Sequence, residues 1–123
     1  MSRKGLSRVG VLAVAASAMV LSTSGLASAS VAPTPVVADS ACQALELTKI
    51  IDGHDHMFVD PTVDNSSCYY MIVDMNTGLD PFTTWSPAGD QPAPNGVYDG
   101  PGQRLSVEVI DEATTQYNFG PIN

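Results

Sequence analysis

Both histidines of this chain, His54 and His56, fall in the stretch "IDGHDHMFVD" (residues 51–60), beside the carboxylates of Asp52, Asp55 and Asp60. Imidazole and carboxylate at close spacing are the donors of a zinc or copper site, and also the groups of acid–base catalysis. Asp52-Gly53 is a dipeptide that favours a two-residue hairpin turn, and apolar residues flank it. Such a turn sets Ile51 opposite His54, Lys49 opposite His56 and Leu47 opposite Phe58. His54 and His56 then share one face of a strand, with Asp52 in the turn as third candidate ligand and Asp55 on the other face. Lys49 across from His56 counts against a bound cation, because like charges directly opposite each other repel. The pattern also falls short of the longer His-Glu-x-x-His signature. A solvated hairpin tip is therefore the leading reading. A metal-binding protein or metal-dependent enzyme using His54, His56 and Asp52 is the alternative, and no cofactor is expected.

Other chemistry is weaker. "DMNTGLD" (residues 74–80) has the Asp-x-Asn-x-Gly opening of a calcium loop, but Trp85 stands where the closing glutamate belongs. No Gly-x-Ser-x-Gly elbow is present to expose a nucleophile. No catalytic residue is assigned.

The elements that must carry these residues begin with a leader. Arg3, Lys4 and Arg8 precede an apolar run over residues 9–21, and small residues follow up to Ala27-Ser28-Ala29. That order describes a secretory signal peptide. The 13-residue run is shorter than the roughly 20 residues needed to span a bilayer. Residues 1–29 are read as a cleaved signal of bacterial, alanine-rich type, with export to the extracellular space. The whole chain carries a formal charge of −8. Cleavage would leave Lys49 and Arg104 against all thirteen carboxylates, a net charge of −11. So acidic a surface repels nucleic acid and anionic membrane; it keeps an exported protein soluble, the commoner reading, or suits a cationic extracellular protein.

The remaining 94 residues allow one domain with a modest core. Cys42 and Cys68 are the only cysteines, and export makes a disulfide between them the expectation. Residues 30–40 read as a flexible, proline-bearing arm, and residues 41–123 as a single β domain. In "ACQALELTKII" (residues 41–51), Leu45 and Leu47 alternate with Glu46 and Thr48, as in a half-buried strand; a short helix over 40–51 is the alternative. "CYYMIVDM" (residues 68–75) is apolar on both faces and suits a central strand. "FTTW" (residues 82–85) is its return, and "RLSVEVI" (residues 104–110) alternates cleanly before a short turn into "TTQYNF". The expected fold is all-β, a small antiparallel sandwich or barrel with one disulfide.

Residues 86–102 hold four prolines and four glycines among seventeen residues, a composition that excludes regular structure. Loops of this length are often functional. Trp85 at its entrance, with Pro94, Asn95 and Tyr98 within it, are the candidates for contact with a partner, because aromatic residues dominate interface energetics. A lone tryptophan in so small a domain is more often part of its core, the favoured reading for Trp85. The layout of residues 42–110 resembles that of the small amylase inhibitors exported by soil actinomycetes. It departs from them at the "IDGHDH" bend, where their Trp-Arg-Tyr trio is missing, and in lacking a second disulfide, so no inhibitory residue transfers. The function expected is a secreted, non-catalytic protein-binding domain, of which a hydrolase inhibitor is one form.

Overall fold

Strand alternation in the sequence becomes alternation of burial in three dimensions, though not always on the face the residue types suggest. The computed structural model describes residues 32–123; the signal assignment to residues 1–29 lies outside the described residues. Eight strands follow in chain order. They are β1 (Thr34–Val37), β2 (Gln43–Ile51), β3 (His54–Val63), β4 (Cys68–Asp74), β5 (Leu79–Trp85), β6 (Val97–Tyr98), β7 (Leu105–Asp111) and β8 (Gln116–Phe119). They form two four-stranded sheets, ordered β1-β2-β3-β6 and β5-β4-β7-β8. Every pairing is antiparallel.

The all-β expectation holds, as two sheets without barrel closure. Residues 40–51 do not form the alternative helix. Asp39 Oδ1 accepts the Ala41 and Cys42 amides at 2.9 and 3.1 Å, fixing a bend from which β2 departs. The 30–40 arm also needs correction, because residues 34–37 form β1. Pro35 sits there opposite Leu45, and β1 is an edge strand, the place where a residue without an N–H is tolerated. The hairpin register follows the sequence reading, with Ile51 opposite His54, Lys49 opposite His56 and Leu47 opposite Phe58. Asp52 and Gly53 both take positive φ, 51° and 79°.

The inward faces meet in a core of Val36, Ala44, Met57 and Val59 from the first sheet and Tyr70, Ile72, Leu105, Val107 and Val109 from the second. The expected Cys42–Cys68 disulfide is present. It ties the start of β2 to the start of β4, and so one sheet to the other. The buried Tyr70 hydroxyl donates to Asp64 Oδ1 at 2.9 Å, and burial pushes its pKa well up.

The face of β2 is the reverse of the one its residue types suggest. Ala44 and Glu46 are buried, whereas Leu45 and Leu47 are half-buried on the outer side. The reason lies on β7. Gly120, just beyond β8, still donates to the Val107 carbonyl at 2.8 Å, while the Val107 amide finds its acceptor in Glu46 Oε2 at 2.8 Å. A buried backbone donor must be paired, and Glu46 supplies the partner from the facing sheet. Any side chain at Gly120 would run into that carboxylate.

Candidate functional site

The outer face of the second sheet is built by three independent registers. Tyr69 on β4 lies opposite Trp85 on β5 and opposite Ile110 on β7. Ile110 in turn lies opposite Tyr117 on β8. Trp85, Tyr69, Ile110 and Tyr117 thus form one row across all four strands, about 14 Å from end to end at the usual strand spacing. The next row runs Thr83, Met71, Glu108, Phe119. Alternation sends these residues away from the core, because their neighbours Tyr70, Val109 and Ile72 point into it.

Three rings on this face stand well out of the protein: Trp85 is 55% exposed, Tyr117 63% and Phe119 39%. The Tyr69 and Trp85 rings lie 4.6 Å apart at 39°, and the Tyr117 and Phe119 rings meet edge to face at 6.1 Å. Such pairs pre-order large side chains and lower the entropy lost when a partner binds. Glu108 stands in register between Met71 and Phe119. Its burial, and then the charge of Asp80, push its carboxyl above the ordinary glutamate range.

The outer face of the first sheet gathers most of the other residues that the sequence singles out. Lys49, His56 and Tyr98 form a row across β2, β3 and β6. The His54 and His56 rings approach Tyr98 edge-on at 5.5 and 5.6 Å. Lys49 Nζ lies 4.5 Å from the centre of the Phe58 ring and forms a salt bridge with Asp90 of the 86–102 segment. That segment lies along the β3 edge. Val59 and Gln91 exchange amide hydrogen bonds of 2.6 and 2.8 Å, Gly96 donates to the Pro92 carbonyl, and Asp99 donates to the Asp55 carbonyl. Gly96 packs so closely on Phe58 that a Cβ there would lie 2.7 Å from the ring and from the Met57 carbonyl oxygen. The segment therefore covers the sheet edge, with one short strand, β6, inside it. Ala93, Pro94 and Asn95 at its tip are exposed.

The partner-contact candidates are consequently divided. Trp85 belongs to the second sheet's outer face, Tyr98 to the first sheet's, and Pro94 and Asn95 to a loop tip. Trp85 does not join the core.

Among the described residues, the only three candidate metal donors within 4.8 Å of one another are Asp39, Cys42 and Asp111. His54, His56 and Asp52 are not gathered that closely. Cys42 sulfur is committed to the disulfide, which removes the thiolate a metal would need. Asp39 accepts from Thr114 Oγ1, and this bond comes first among the causes that lower its pKa. Asp111 accepts from Ser67 Oγ and the Ala113 amide. These bonds tie turns together.

A buried acidic line escaped the sequence reading altogether. Glu46 is fully buried with Oε1 unpaired, and burial raises its pKa to about 7. Asp99 is raised to about 6, again by burial first. Asn123 Nδ2 bridges Asp55 Oδ2 and Asp99 Oδ2 at 2.7 and 2.8 Å. No period in the sequence marks these groups: Asp55 and Asp99 come together through the β3–β6 pairing, and Asn123 joins them from beyond β8. Comparison with known proteins gives no match of the chain to a family model, a curated protein or a solved structure.

Proposed function

We propose that this protein is an exported, non-catalytic binding domain that takes a protein partner on the outer face of the second sheet. The observation that carries this reading is the four-strand row of Trp85, Tyr69, Ile110 and Tyr117, with Phe119 beside it. Contiguous exposed aromatic residues on a rigid sheet are uncommon on a surface that serves solubility alone. Trp and Tyr are the residues that most often anchor interfaces. Inhibition of a secreted hydrolase is one form such binding takes. The leader over residues 1–29 supports export, and a mature product beginning near Ser30 in culture supernatant is the expected mass.

The test is capture from the producer's own secretome by three forms of the mature protein. These are the unaltered chain, a Trp85→Ala/Tyr117→Ala double variant, and a variant with the exposed residues 93–95 replaced by serine. The double variant should lose the partner and the loop variant should retain it. Retention by the double variant would overturn the assignment of the face.

A further inference from the structure

We infer that the aromatic face recognises a basic segment, seating an arginine or lysine side chain on Tyr117 and Phe119 with its charge directed to Glu108. This rests on the binding-face reading above and specifies the partner's chemistry. Glu108 lies directly opposite Phe119 and two residues along β7 from the Ile110–Tyr117 pair, on the same face. Glu108 therefore shares a face with two rings that already meet edge to face. Rings flanking an anion are the elements of a cation site, since the ring faces and the carboxylate all attract positive charge. Arginine fits best, because its planar guanidinium can stack on a ring and still donate to a carboxylate.

Charge complementarity selects this occupant over the others. Once the leader is gone the chain carries thirteen carboxylates against Lys49 and Arg104. Among the described residues the one salt bridge, Lys49 with Asp90, lies on the opposite face. Glu108 and Asp80 are close enough for Asp80 to disfavour the Glu108 anion, so a cation arriving there relieves an existing repulsion. A second copy of the chain is a poor occupant. Symmetric face-to-face contact would bring two strongly acidic surfaces, each with its own Glu108 and Asp80, against each other. A neutral glycan could stack on the rings but would gain nothing from the Glu108 carboxylate.

Trp85 is the only tryptophan, so its emission reports on this face. The probe is an acetylated, amidated octapeptide of alternating glycine and arginine, titrated into the mature protein at low salt. A matched glycine–glutamate peptide and a β-1,4-linked glucose hexasaccharide serve as comparisons. The arginine peptide should give a saturable change, and the other two none. Glu108→Gln, and separately Phe119→Ala, should weaken binding about fivefold. Asp60→Asn, which removes the same charge from the other sheet, should weaken it less than about twofold. Circular dichroism of each variant establishes that it is folded, and Glu108→Gln, being isosteric, keeps the test valid if Phe119→Ala unfolds.

Equal weakening by Asp60→Asn and Glu108→Gln would reduce the attraction to diffuse charge and overturn the inference. So would a response to the hexasaccharide without one to the arginine peptide. If Trp85→Ala/Tyr117→Ala abolishes secretome capture while Glu108→Gln leaves both capture and peptide binding intact, the face stands and the basic-partner inference falls.

Discussion

The two outer faces of this sandwich both carry aromatic rings, in opposite company. On the first sheet, Phe58 is 1% exposed, roofed by the Gly96 turn and by Lys49. Tyr98 is 44% exposed but is flanked edge-on by two histidines, and Lys49 is neutralised by Asp90. On the second sheet Trp85 packs on Tyr69 and Tyr117 meets Phe119, leaving Trp85, Tyr117 and Phe119 exposed, and Glu108 feels the like charge of Asp80. Ring content alone does not separate the two faces. What separates them is whether the chain has already supplied each ring and charge with a partner. The 86–102 segment, which composition marks as the place for a partner, spends most of its length completing the first sheet. Its strand pairings, β6 and the Val59–Gln91 bridge, are both made with β3 of the first sheet.

The frame shared by the two faces is the disulfide between the sheets, so its loss should have the largest effect. A Cys42→Ala/Cys68→Ala variant should lose about 3–4 kcal/mol by the loop-closure relation, read as a fall in the urea midpoint. Next comes the cover on the first sheet. Gly96 has φ +66° and no room for a Cβ, so Gly96→Ala should cost about 2 kcal/mol. Amide exchange should accelerate at Val97 to Asp99 and stay unchanged along β8. If binding to the aromatic face weakened in step with that local loosening, the separation of the two faces would be lost.

A smaller effect follows from the acid between the sheets. Glu46 has a folded pKa of about 7, raised by burial and then by Asp99, against an ordinary value of 4.5. The folded protein therefore holds this proton more tightly than the unfolded chain does. The linked stability is fully present below pH 4.5 and is lost as pH rises to about 7. Asp74 acts oppositely: the Asn76 amide holds its pKa down, so its contribution is lost as pH falls below the ordinary aspartate range. Glu46→Gln retains an acceptor for the Val107 amide. It should flatten the decline above pH 4.5 and raise stability near pH 8 on the order of 1 kcal/mol. An unchanged pH profile of the urea midpoint would show that Glu46 is not the group responsible.

Local signals in the sequence were sufficient for some of this. Asp52-Gly53 between alternating strands fixes the β2–β3 register, two lone cysteines in a chain read as exported point to the disulfide, and apolar residues on both faces of β4 place it centrally. The inward face of β2 was not legible, because Glu46 turns inward to serve an amide 61 residues away. Strand β1 was hidden by Pro33 and Pro35, which read as an arm and are tolerated because the strand lies at an edge. The aromatic row is the clearest omission. Tyr69, Trp85 and Tyr117 become neighbours only through the β4–β5, β4–β7 and β7–β8 registers, none of which carries a marker as explicit as Asp-Gly.

The most direct test of the central claim, that partners meet the second sheet's outer face, is an NMR comparison of the mature protein alone and with the partner recovered by capture. The Trp85 indole N–H gives a single resonance, and the ring signals of Tyr117 and Phe119 lie on the same face. These three should shift on binding, while the His54 and His56 rings and the Asn95 side-chain amide hold their positions. Shifts confined to Tyr98, the two histidines and Asn95, with Trp85 unmoved, would contradict the claim and return the site to the first sheet and its loop.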